Sequence, residues 1–168
     1  MSRQLIVLRH AKAERGPYPD HERPLTARGR VDALAAGRWL AEHKLHPDLT
    51  VCSTAVRAKE TWALAAAELG GDGVRTLYER AVYGAEEDEL LQVLREVDPD
   101  AQRVVLCGHN PGLQYLVLAL AGSGSEENLL RARENFGTAA IAVLDVPGKW
   151  AKLAEGSAEL TAITVARG

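Results

Sequence analysis

Three short apolar runs that each end in polar chemistry constrain this chain more than any other feature. Leu5-Ile6-Val7-Leu8 runs into Arg9-His10-Ala11, Leu49-Thr50-Val51-Cys52 into Ser53-Thr54, and Val104-Val105-Leu106-Cys107 into Gly108-His109. Runs of about four residues rich in Val, Ile and Leu are too short for helices and read as strands buried on both faces. Strands of that kind belong to the interior of a largely parallel sheet. Their polar ends then lie at the carboxyl edge, where open α/β sheets bind ligands. For Arg9 and His10 alone, the plain alternative is that the pair marks where the strand leaves the core.

The segments between the runs carry helix signals. After His10 comes a polar loop, Glu14 to Pro24, broken by Gly16, Pro17 and Pro19. Thr26 can cap a helix whose apolar stripe is Ala33, Leu34, Gly37, Leu40 and Ala41. His21, His43 and His46 have no partners at metal-ligand spacing and read as surface residues. Ser53-Thr54 opens a second helix that runs to about Leu69 and stops at Gly70-Gly71. Arg57 falls in its first turn, where a cation opposes the helix dipole unless an anion sits there too. Otherwise Arg57 turns out into water.

A third strand spans Val74 to Tyr78 and is followed by Glu79-Arg80. Glu86, Glu87 and Asp88 then suit the amino end of a helix whose buried side is Leu90, Leu91, Leu94 and Val97. Beyond the Cys107 strand, Asn110 is a natural cap and Pro111 a natural first residue for a helix over Leu113 to Ala121. His109 therefore stands between a strand end and a helix amino end, a place that favours anions. The remainder reads as a flexible Ser123-Gly124-Ser125 connection, a helix from Glu126 to Arg133, and strands at Ala139–Val146, Trp150–Ala154 and Glu159–Val165.

Bulk properties narrow the classes. The 168 residues suit one domain, 1–168, with 46% hydrophobic and 26% charged residues in ordinary globular proportion. A net charge of -3 gives no electrostatic case for a nucleic-acid partner. The four apolar residues after Met-Ser-Arg-Gln are too few for a secretory core or a membrane span. Cys52 and Cys107 fit no metal or redox motif and read as buried free thiols, which suits a reducing, cytoplasmic setting. Neither a metal nor a cofactor is implied.

Strand–helix alternation predicts an α/β fold, a three-layer α/β/α sandwich with right-handed crossovers. One sheet edge would then gather Arg9, His10, Arg57 and His109. Two arginines, two imidazoles and two helix amino ends describe a pocket for a phosphoryl group. An imidazole with a free nitrogen facing phosphorus is a competent nucleophile. Cationic side chains and backbone amides would stabilise the charge.

These residues also resemble a family. Arg9-His10-Ala11 after a buried first strand, Arg57 four residues past Ser53, and Gly108-His109 are similar to the signature of the histidine phosphatase superfamily. Within it, Arg23-Pro24-Leu25-Thr26 with Gly29, Arg57-Ala58 with Thr61, and Gly108-His109-Asn110-Pro111-Gly112 resemble the small SixA-type phosphohistidine phosphatases. The resemblance implies a phosphoglycerate-mutase-like fold with a mostly parallel sheet. It implies that His10 becomes phosphorylated, with Arg9, Arg57 and His109 around the phosphate and Ser53 and Asn110 as candidates for its surroundings. Two positions depart from the pattern: Ala11 stands where most members have glycine, and Gly16 where many have asparagine.

Glu79, in the context Leu77-Tyr78-Glu79, falls where the superfamily often keeps an acidic proton donor. A solvated strand-end glutamate is the alternative. An alkoxide leaving group needs such a donor, whereas an imidazole with a free pKa of about 6.5 needs it far less. The chain leaves no room for an inserted helical lid, so an open pocket is expected. That suits phosphohistidine on a protein such as a histidine-phosphotransfer domain. The competing readings are a phosphomonoesterase using Glu79 as acid, and a non-catalytic phosphate-binding docking module, which would have no need of His10. Oligomeric state is not legible.

Overall fold

The computed structural model describes residues 2–70 and 74–168. The first apolar run forms β1 (Arg3–Arg9), parallel to β4 (Arg103–Gly108) on one side and antiparallel to β6 (Ala140–Val146) on the other. Outside β4 lie β2 (Leu49–Ser53) and then the edge strand β3 (Arg75–Glu79), both parallel to it. Outside β6 lie β7 (Ala158–Val165) and β5 (Ala121–Gly124). The order is β3-β2-β4-β1-β6-β7-β5, and β6 alone of these strands runs against the others. The continuous apolar runs belong to strands flanked on both sides, and Leu5, Ile6, Val7 and Leu8 are wholly buried. Burying each such side chain contributes roughly 1.5–3 kcal/mol.

Alternation along β1 divides the core. Ile6 and Leu8 face α1 (Ala27–Glu42) and α2 (Val56–Glu68), among Ala33, Ala36, Leu40 and Trp62. Leu5 and Val7 face the opposite layer, which contains α3 (Glu87–Arg95), α4 (Gly112–Leu120) and α5 (Glu126–Glu134). The three-layer α/β fold expected from the alternation is present. Glycine sets the closest helix contact: a Cβ on Gly37 of α1 would lie 2.3 Å from the Ala65 carbonyl oxygen of α2.

Several local expectations are corrected. Ser53 ends β2 rather than capping α2, whose cap position is Ala55. Helix α2 ends at Glu68, with Gly70 at a φ of +91°; Gly71 lies outside the described residues. Helix α4 spans Gly112–Leu120, and Pro111 rather than Asn110 takes the cap position. Trp150–Lys152 forms a 3-10 turn instead of a strand, because Trp150 and Leu153 are both buried at a helical three-residue spacing. The glycine-rich Ala121–Gly124 segment is strand β5, paired with β7 through backbone. Its side chains give no alternation to read. No helix among the described residues is long and apolar enough to cross a membrane.

Candidate active site

The carboxyl edge of β1, β4 and β2 gathers the chemistry. Arg9 is in register with Gly108, and the His10 amide donates to the Gly108 carbonyl at 3.0 Å. This places the His10 and His109 rings 5.1 Å apart, both buried. Arg57, 6% exposed, enters from the first turn of α2. Its neighbour in that helix, Thr61, accepts from the Ala11 amide at 3.0 Å and donates to the Arg57 carbonyl at 2.7 Å. Thr61 thus ties the segment after β1 to the helix that supplies the arginine.

Hydrogen bonding settles the protonation of His10. Its Nδ1 lies 2.7 Å from the Ala11 carbonyl oxygen, which can only accept, so Nδ1 carries the proton. Nε2 keeps its lone pair. Burial, which outweighs the opposing Ala11 bond, lowers the His10 pKa from 6.5 to about 4, helped by the charges of Arg57, Arg9 and Arg23. Burial likewise takes His109 down to about 3, with His10 and Arg57 contributing. Both imidazoles are neutral at pH 7. Ser53 Oγ accepts from the Ala55 amide at 3.2 Å and lies 2.7 Å from Nε2 of His109; its hydroxyl donates to that nitrogen, which leaves the proton of the neutral ring on Nδ1.

Three buried polar atoms in this cluster have no partner: Arg9 Nε, Arg57 Nε and His109 Nδ1. Leaving such groups unpaired costs about 1–3 kcal/mol each, so an anion able to accept from them is the natural complement. Burial and the nearby Arg57 lower the Arg9 pKa, the mark of cations crowded together.

The loop between β1 and α1 contributes more than its composition suggested. Asp20 accepts from Arg57 Nη2 at 3.2 Å, from Arg23 Nε at 3.1 Å and from the Tyr83 hydroxyl at 2.5 Å. These bonds, that of Tyr83 foremost, hold its carboxyl well below the usual carboxylate range. Arg57 also donates through Nη1 to the Asp20 carbonyl at 2.7 Å. Asp20 therefore engages the outer end of the guanidinium and leaves Nε facing inward. Next to it, His21 lies 2.8 Å from Thr54 Oγ1 and meets the Tyr83 ring edge-on. It is half-buried in the site's rim, not a free surface residue as expected; His43 and His46 are exposed. Asp20, His21 and Tyr83 escaped the sequence reading. The only signal was their position in the breaker-rich loop and the turn before α3.

The remaining candidates divide. Ser53 is fully buried and reaches the cluster through His109. Asn110 spends its amide on the Phe136 carbonyl at 2.7 Å and its oxygen on the Gln114 amide at 3.2 Å. Arg9 donates to the same Phe136 carbonyl at 3.1 Å. Glu79 is exposed and lines a separate hollow with Val51, Leu77 and Val93, against α3. Among the described residues, no hydrogen bond or ion pair joins it to His10, Arg57 or His109. Beside His109 a hollow of about 510 Å³ opens to the surface, walled by Glu86, Glu87, Asn110, Pro111 and Tyr115 among others. Among the described residues no inserted helical lid stands over it. Between β3 and β4 lie a 3-10 turn, Arg80–Val82, and α3.

Comparisons with known proteins place the chain in one family. Residues 5–81 match the model of the histidine phosphatase superfamily, branch 1. The uncharacterized protein Rv1276c of Mycobacterium tuberculosis is 36% identical over 166 residues, covering 95% of this chain and all of that protein. A structure assigned as phosphohistidine phosphatase SixA from Nakamurella multipartitia has a TM-score of 0.84 at 33% identity, over 99% of this chain and 97% of that one. The protein histidine phosphatase SixA complexed with tungstate shares the fold, with a TM-score of 0.75 at 20% identity over 96% of each chain. With its sheet order, its paired imidazoles and these relatives, the chain belongs to the histidine phosphatase superfamily, among its SixA-type members, and is a phosphatase.

Proposed function

We propose that the protein hydrolyses phosphohistidine on another protein through a phosphorylated His10, without a metal. The observation that carries this reading is the neutral, oriented His10 ring. With Nδ1–H held by Ala11, the Nε2 lone pair attacks phosphorus as the bond from phosphorus to the substrate's imidazole nitrogen breaks; the substrate ring, protonated by solvent on its other nitrogen, departs as neutral imidazole. Arg9, Arg57 and the His109 Nδ1–H offer donors to the phosphoryl oxygens, so charge in the transition state meets fixed positive groups. Water then attacks phosphorus and the bond to Nε2 breaks, releasing phosphate and restoring His10. The proton that water loses passes to solvent.

The nature of the leaving group favours an imidazole over an alkoxide. Asp20 is held ionised by two arginines and a tyrosine and is a poor acid. Glu79 lies in another hollow. A phosphoramidate needs a proton donor far less than an alkyl ester does. The test is to incubate the protein with a phosphorylated histidine-phosphotransfer domain and follow loss of label against a His10→Ala control. Turnover, with an acid-labile and base-stable label trapped on His10 by rapid quench, is expected. Turnover no faster than the control, or no trapped label, would return the chain to the docking-module reading.

A further inference from the structure

We propose that the hollow beside His109 seats a lysine or arginine side chain near the phosphorylated residue, so that the protein selects phosphorylated segments with a basic flank. This rests on the phosphohistidine reading. The hollow adjoins the phosphoryl cluster through His109, which is 9% exposed, lines the hollow and keeps an unpartnered Nδ1. A phosphoryl group within reach of His10 therefore places its carrier chain at the mouth of this hollow. At about 510 Å³ the space is far larger than a phosphoryl group requires.

The walls have the chemistry of a cation seat. Tyr115 projects from α4 and is 54% exposed, so its ring is not consumed by core packing. An accessible phenol face attracts ammonium and guanidinium groups. From α3 come Glu86 and Glu87, both exposed. Glu86 is committed to the capping box with Glu89, whereas Glu87 makes no hydrogen bond or ion pair among the described residues. Acids at a helix start have a structural reason to be there, but that reason does not extend to a bare tyrosine on a different helix facing the same space.

The walls are also held at a fixed spacing. A Cβ on Gly112 at the start of α4 would lie 2.2 Å from the Ala85 carbonyl oxygen, so only glycine permits this approach of the two sides. A preformed seat loses little freedom on binding. The site is thus polarised, with Arg9 and Arg57 toward the phosphoryl group and Glu87 with Tyr115 toward its carrier.

The experiment compares phosphohistidine peptides bearing Lys, Gln or Glu beside the phosphorylated residue, each normalised to kcat/KM for phosphoimidazole, which has no flank. The Lys peptide is expected to exceed the Glu peptide by about fivefold, the scale of an exposed ion pair with a cation–π contact. Glu87→Lys should invert the order and Tyr115→Ala should flatten it, while Glu87→Gln should fall between. Equal normalised values for all three peptides, unmoved by the variants, would overturn the basic-flank proposal and leave the phosphatase reading intact. Failure to cleave phosphoimidazole and every peptide would overturn both.

Discussion

Burial of a nucleophilic imidazole has a measurable consequence at His10. The ring is 8% exposed, and loss of hydration is the leading cause of its depressed pKa. A shift from 6.5 to about 4 corresponds to about 3 kcal/mol against the charged form. At about pH 5.5, an ordinary imidazole is roughly nine-tenths protonated, whereas one titrating at about 4 is almost wholly neutral. The perturbation is acidification from about pH 8 to 4, read as the imidazole C–H resonances by NMR, with His10→Asn identifying the signal. The His10 resonance should hold its neutral position to below about pH 5. Removing the Arg57 charge in Arg57→Met should recover only a minor part of the depression, because burial remains. A His10 midpoint near 6.5 would refute the argument that desolvation governs this ring.

Other outcomes follow from the same contacts. Because unfolded imidazoles titrate near 6.5 while His10 and His109 resist protonation when folded, stability should be full above that pH. It should decline progressively as pH falls toward 4 and then 3, seen as falling urea midpoints, with added phosphate partly restoring them. Glu79→Gln should change phosphohistidine turnover by less than about twofold, since the residue lies outside the cluster; a loss of 10²-fold or more would make it the acid. Thr61→Val keeps the shape but strands the buried Ala11 amide, costing about 1–3 kcal/mol in urea unfolding and slowing phosphorylation of His10. Gly37→Ala should destabilise by about 1–3 kcal/mol through overpacking of α1 on α2, with KM for phosphoimidazole little changed; an unaltered Tm would contradict the close contact.

Much of this molecule is legible along the chain because its central strands are buried on both faces. Leu5 to Leu8 and Val104 to Cys107 contact protein on every side, so their composition alone betrays them. Residues at the ends of such strands inherit the sheet's carboxyl edge, which is why the order of the chain already groups Arg9, His10 and His109. Segments whose conformation is set by distant partners behave differently. Strand β5 forms because β7 offers it backbone groups, and the Trp150 turn forms because its indole donates to the Ala101 carbonyl at 2.7 Å. Ser53 has a helix-capping side chain, yet it ends β2, and its hydroxyl meets the Ala55 amide and the His109 ring rather than the first turn of α2.

Local periodicity and residue chemistry therefore determined the α/β alternation, the buried strands and which side chains gather at the sheet's carboxyl edge. Tertiary structure alone decided that Asp20 would brace Arg57, that His21 and Tyr83 would form the rim, and that Glu79 would line a different hollow. The physical reason is range. Burial on both faces and capping act on neighbours along the chain. The Asp20–Arg57 contact instead joins residues 37 positions apart. A bond of that kind leaves no pattern in composition and exists only once the sheet has brought its loops together.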